Sequence, residues 1–142
     1  MELQLEGKKV VVTGGAKGIG ESIVRSFVKE GAIPIILGRN PNEAEDLLAE
    51  LQIGHSYHLE LTELNEIEKI TKKISSDIGE IDILVNNAGV NDGISLNDEP
   101  LKFIESLNKN LIHPFALAHY FIEDLKRNKG VKIGRASCRE RV

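Results

Sequence analysis

Short apolar runs alternate with amphipathic stretches along most of this chain. KVVVT at residues 9–13 is apolar almost throughout and stops at Gly14 and Gly15. A run apolar on both faces suits a strand in the middle of a parallel sheet. From Gly18 to Lys29, Ile19, Ile23 and Phe27 recur every four residues beside Val24 and Val28. That spacing predicts a helix with one buried stripe, ended by Gly31. IPIIL at residues 33–37 predicts a second strand, with Pro34 tolerable near its start. Ala44, Leu47, Leu48 and Leu51 stripe a second helix, and residues 55–59 form a weaker third strand. Leu64, Ile67, Ile74 and Ile78 stripe a third helix, and IDILV at residues 81–85 makes a fourth strand. A polar loop over residues 91–99 leads to a long helix, expected from Pro100 to about Asn128. Proline is favoured in such a first turn. Val131 then opens a fifth strand that is cut short.

Strand–helix alternation with short connections predicts an α/β fold, a Rossmann-type doubly wound parallel sheet truncated after the fourth strand and its helix. Right-handed crossovers put ligands at the carboxyl ends of the strands, where Gly14 and Asn86 fall. With the sheet broken off there, Val85 is expected to face an unpaired edge. The long helix is expected to lack part of its cover, and both features favour association.

Composition narrows the classes. At 142 residues and 41% hydrophobic, the chain is long enough for one compact domain with a real core and too short for two domains. A charged fraction of 28% and a net charge of -4 exclude a disordered chain. No window approaches 18 apolar residues, so no membrane span is expected, and residues 1–12 lack a cleavable signal pattern. The expectation is a cytoplasmic protein. Without a basic stripe there is no footprint for nucleic acid. The single cysteine, Cys138, excludes an internal disulfide framework or a Cys-rich zinc site. His55 and His58 are three apart on a strand and point to opposite faces, while His113 and His119 are six apart on a helix. Neither pair can clamp a metal, and none is expected. Asp46 and the other helix acids read as solvated surface.

The last ten residues break the pattern. Residues 133–142 (IGRASCRERV) have neither period and carry three Arg and the only Cys. They can be reverse-translated as ATC GGA AGA GCG TCG TGT AGG GAA AGA GTG, a common sequencing-library adapter read in frame. The native reading is therefore expected to end at about Val131 or Lys132, giving a dinucleotide-binding half over residues 1–132. That body carries 15 basic and 21 acidic residues and no cysteine. An independent genomic read encoding the same ten residues would overturn the expectation.

Residues 13–20 read TGGAKGIG, between the first strand and the first helix. Glycines at 14, 18 and 20 let the backbone turn sharply, approach a pyrophosphate and pack helix on strand, with the helix N-terminus facing the anion. The position after the first strand points to a dinucleotide rather than a bare tight turn. A phosphate-loop ATPase fails on charge, because Glu21 stands where the essential Lys must be.

Here the sequence resembles the short-chain dehydrogenase/reductase family, over essentially all of residues 5–132. TGGAKGIG has the family's TGxxxGxG spacing, residues 86–89 are its NNAG motif after the fourth strand, and Asn110 sits at its helical active-site Asn. The resemblance implies that the glycine loop, with Gly14, Lys17, Gly18, Ile19 and Gly20, contacts the cofactor diphosphate. It implies that Asn87, Ala88 and Gly89 border the ribose. Glu60 stands where the family has an adenine-binding Asp, with Leu61 adding backbone contacts. Asn110 would hold a water in a proton relay. Helix chemistry agrees, because Pro114 lacks an N–H and its ring clashes with the Asn110 carbonyl, so a kink is expected there.

Charge at the adenosine ribose decides the cofactor. An acid at the end of the second strand binds a 2′-OH, whereas an Arg accommodates a 2′-phosphate. That end reads Leu37, Gly38, Arg39, Asn40, and Lys17 adds a second cation. The reading favours NADP, with NAD possible.

By the resemblance, a Ser after the fifth strand and a Tyr-x-x-x-Lys complete the site. Only Tyr57 and Tyr120 exist here, followed at the fourth place by Leu61 and Asp124. The expectation is the inactive cofactor half of an NAD(P)-dependent oxidoreductase acting on a small molecule, whose full-length parent is a homo-oligomer. Residues 86–93 (NNAGVNDG) and 106–121 (SLNKNLIHPFALAHYF) look like the L-fucose dehydrogenase-type group, which implies a sugar hydroxyl as substrate. A 3-oxoacyl carrier-protein reductase and a non-catalytic dinucleotide-binding regulator stay open as alternatives.

Overall fold

The computed structural model describes residues 3–133. Within them the apolar runs become strands of one parallel sheet. These are β1 (Lys9–Thr13), β2 (Ile33–Gly38), β3 (His55–His58), β4 (Ile83–Val85) and β5 (Val131–Ile133), in the order β3-β2-β1-β4-β5. Helices α1 (Gly18–Lys29), α2 (Pro41–Leu51) and α3 (Leu64–Ile78) connect the first four strands. The connection from β4 to β5 runs through α4 (Pro100–Leu107), a π-turn (Asn108–Ile112), α5 (His113–Tyr120) and α6 (Ile122–Arg127).

Because successive strand residues point to opposite faces, the apolar runs feed two cores. Val11, Ile35, Leu37 and Leu84 pack with Ile67 and Ile74 of α3 and with Leu117, Phe121 and Leu125. Val10, Val12, Ile36, Ile83 and Val85 pack with Val24 of α1 and with Ala44 and Leu47 of α2. Arg25 joins the two helices on that side, donating to both carboxylate oxygens of Glu50 at 2.7 and 2.8 Å.

The sheet runs further than the expected break. Val85 is paired with Ile133 in parallel register, so it does not face an open edge. Ladder pairing needs only main-chain groups, which any non-proline residue supplies, so a lack of side-chain periodicity is no bar to it. Ile133 is the first residue of the aperiodic tail; the rest of that tail, Cys138 included, lies outside the described residues. Two stripe positions also depart from expectation. Ile19 is 51% exposed and Leu64 is 49% exposed. Both sit in the first turn of their helices, past the end of the core that the rest of the stripe contacts. The uncovered helix face is observed as expected: Leu101, Phe103, Ile104, Leu111 and Phe115 are all more than half exposed.

One helix acid is not solvated surface. Asp124 on α6 is 8% exposed, and its Oδ2 accepts the buried Ile81 N–H at 3.1 Å. One turn on, Asn128 donates to the Ile81 carbonyl at 2.9 Å. Ile81 lies just before β4, where its peptide groups have no ladder partner, and the two side chains satisfy both. Asp124→Ala leaves that N–H buried without an acceptor, which costs about 1–3 kcal/mol. The expected result is a lowered urea midpoint with the m-value unchanged; a midpoint equal to the wild type's would show the bond contributes nothing.

Candidate dinucleotide cleft

In the order β3-β2-β1-β4-β5 the succession of strands changes sense between β1 and β4, which run parallel. Connections on either side of that point go to opposite faces of the sheet and leave a crevice at the carboxyl ends of the strands. A cleft of about 1380 Å³ opens there, lined by the loops after β1, β2, β3 and β4. It exceeds the roughly 300–1,000 Å³ usual for drug-sized ligands, so an extended ligand such as a dinucleotide has room.

The wall between β1 and β4 is built from close backbone packing. Thr13 is fully buried, and its Oγ1 accepts the N–H groups of Asn87 at 3.0 Å and Ala88 at 2.9 Å. In return Asn87 Nδ2 donates to the carbonyls of Thr13 at 3.0 Å and Gly14 at 3.2 Å. Gly14 takes φ of 63° at the turn, and a Cβ there would stand 3.3 Å from the Ala88 Cα. A Cβ on Gly20 would collide with the Gly14 carbonyl oxygen. These glycines let α1 begin directly beneath the cleft, so its first-turn N–H groups, which have no intrahelical acceptor, face it. Such a cradle fits a pyrophosphate, which needs N–H donors and close backbone approach. Ile19 lines the cleft from that same turn, which accounts for its exposure.

Most of the residues picked from the sequence meet here. Gly14, Lys17, Ile19, Gly20, Arg39, Glu60, Leu61, Asn87, Ala88 and Gly89 all line the cleft. Gly18 does not; its φ of 59° shapes the turn into α1 instead. Arg39 is exposed and makes no ion pair among the described residues. The Glu60 carboxylate accepts the Thr62 hydroxyl at 3.3 Å. Glu21, which ruled out a phosphate loop, is held by Arg25 at 2.8 Å.

Asn110 is behind the lining rather than on it. It is 8% exposed, its Oδ1 accepts the Val90 N–H at 2.8 Å, and its Nδ2 donates to the Ser106 carbonyl at 3.1 Å. The side chain thus fastens the loop after NNAG to the irregular turn of the helix. The expected kink takes the form of the π-turn Asn108–Ile112, a wider turn that accommodates Pro114, which has no N–H to donate. His113, fully buried, leans back on the Lys109 carbonyl at 3.0 Å.

Several lining residues carry no signal in the sequence. Glu43 stands in the first turn of α2, and its Oε1 meets Lys17 Nζ at 3.4 Å. Asn91, Asp92 and Lys109 close the opposite end. They come together only because the loop after β4 folds back toward the π-turn, and no spacing rule encodes that. Among the described residues, no group of three His, Cys, Asp or Glu is arranged to hold a metal. No helix among them is long and apolar enough to cross a membrane.

Comparison with known proteins agrees with this geometry. The L-fucose dehydrogenase of Rattus norvegicus is 31% identical over 128 residues, which is 87% of this chain and 47% of that one. The Cj0485 dehydrogenase structure superposes with a TM-score of 0.87 at 35% identity, covering 93% of this chain and 52% of that one. An alcohol dehydrogenase from Thermococcus sibiricus, complexed with 5-hydroxy-NADP, superposes with a TM-score of 0.81 at 28% identity. The overlap is 89% of this chain and 57% of that one. The chain spans about half the length of the relatives it matches. The family model for short chain dehydrogenases matches residues 8–138. With the glycine loop, the NNAG turn and the switch-point cleft in place, this chain belongs to the short-chain dehydrogenase family.

Proposed function

We propose that this chain is the dinucleotide-binding half of an oxidoreductase that prefers NADP and interconverts a sugar hydroxyl and a carbonyl by hydride transfer. The observation that carries the reading is the pair of cations at the adenosine end of the cleft, Arg39 after β2 and Lys17 in the glycine loop. The nicotinamide, when bound, accepts or donates the hydride; this chain's part is to hold and orient it. The N–H groups of Ile19 and Gly20 would take the diphosphate, Glu60 and Leu61 would border the adenine, and Asn87, Ala88 and Gly89 the nicotinamide ribose. Asn110 positions the Val90 amide, and with it the part of the cleft wall that Val90 forms.

Two experiments test this. The full-length protein should bind NADPH more tightly than NADH, because a 2′-phosphate gains charge-assisted bonds from Arg39. Arg39→Asp should reverse the preference by about 1.5–3 kcal/mol, the scale of a hydrogen bond to a charged group. Equal wild-type affinities, or no change in the variant, would put the ribose elsewhere. For the substrate, L-fucose and related aldoses should be oxidised. Turnover of acyl thioesters with none of aldoses would assign the protein to carrier-protein reduction instead.

A further inference from the structure

Glu43 introduces a negative charge where the cofactor reading places a 2′-phosphate. It lies on the cleft wall beside Lys17, Arg39 and Asn40, anchored by its buried neighbour Ala44. The Glu43 side chain is 38% exposed and that of Lys17 is 77% exposed, so the carboxylate is the more fixed partner of the 3.4 Å pair. We propose that Glu43 sets the balance between 2′-phosphorylated and 2′-hydroxyl dinucleotides by competing with the phosphate for Lys17. The inference rests on the dinucleotide reading of the cleft and deepens it.

The charges give the direction. With Glu43 ionised, the Lys17 ammonium is already partnered, and a 2′-phosphate must draw it away or share it. The dianion also meets the like charge of the carboxylate at close range. A 2′-hydroxyl meets the opposite situation, since a carboxylate on this wall is an acceptor for it. Arg39, which has no ion pair among the described residues, remains as the cation unopposed by an acid. Two cations, only one of them paired with an acid, describe a site that tolerates both cofactors while leaning toward the phosphorylated one. Removing the acid should sharpen that lean.

The test needs only the adenosine end, so the 142-residue chain serves. Adenosine 2′,5′-bisphosphate and adenosine 5′-monophosphate are titrated calorimetrically into the wild type, E43Q, K17Q and the double variant. E43Q should tighten the bisphosphate by about 5-fold, the scale of an exposed charge pair, and change the monophosphate less than about 2-fold. In the K17Q background the gain from E43Q should fall by at least half, because part of it comes from releasing Lys17. An unchanged or weaker bisphosphate affinity in E43Q overturns the proposal. So does an equal gain for both nucleotides, or an equal gain with and without Lys17. Failure of the wild type to bind either nucleotide overturns the dinucleotide cleft itself, and this inference with it.

Discussion

Gly20→Ala is expected to abolish measurable dinucleotide binding and lower the stability of the chain. The added methyl group would overlap the Gly14 carbonyl oxygen and stand 2.6 Å from Asn87 Nδ2. Neither neighbour is the far end of a flexible side chain. Gly14 is held by its N–H to the Leu37 carbonyl at 2.8 Å, in line with the sheet. Asn87 is held by its bonds to the Thr13 and Gly14 carbonyls. Relief of the clash must therefore move α1 away from the loop, or break the Asn87 fastening. Overpacking of this kind costs about 1–3 kcal/mol. Either movement also displaces the first-turn N–H groups that would face the diphosphate, so binding suffers more than folding. The check is a thermal melt beside an NADPH fluorescence titration. An affinity within about 2-fold of the wild type, roughly 0.4 kcal/mol, would show that the loop does not hold the diphosphate.

What the sequence disclosed, and what it withheld, divides along a physical line. Strands β1, β2 and β4 announce themselves because a strand covered on both faces needs a continuous apolar run, and KVVVT, IPIIL and IDILV supply it. Helices α1, α2 and α3 follow from a four-residue stripe against one sheet face. The glycine loop was legible because the demand for missing side chains at 14 and 20 is local to one turn. Interactions across the chain were not legible. Asp124 looks like any surface acid until Ile81, 43 residues earlier, is seen to need an acceptor. Glu43 joins the cleft because α2 starts beside the glycine loop, which no periodicity records. Pro114 signals an irregular helix, yet not that the irregularity is a π-turn fastened to Val90 through Asn110.

The 142-residue chain is expected to show no turnover above buffer background with NADPH or NADP and a panel of aldoses and ketones. A carbonyl–hydroxyl interconversion needs a proton delivered beside the transferred hydride, and a positioned acid or base contributes about 10²–10⁴-fold. The described residues place neither tyrosine for that task. Tyr57 lies on β3 with its hydroxyl donating to Asp77 at 3.0 Å, and it does not line the cleft. Burial first, and the Asp77 bond second, push that hydroxyl up to about 12. An efficient proton shuttle requires a value near the working pH, so Tyr57 is displaced in the wrong direction as well as in space. Tyr120 stands on α5, its ring edge-on to His119 with centroids 5.0 Å apart, and it too is absent from the cleft lining. Asn110 has both side-chain groups committed to backbone partners, and an amide neither gains nor loses a proton near neutral pH. Cofactor binding without turnover is the expected pair of results, the first from fluorescence titration and the second from absorbance at the nicotinamide band. Sustained turnover by a clean preparation would overturn this and direct the search for the proton donor to Asp92 and Lys109, the titratable side chains at the far end of the cleft.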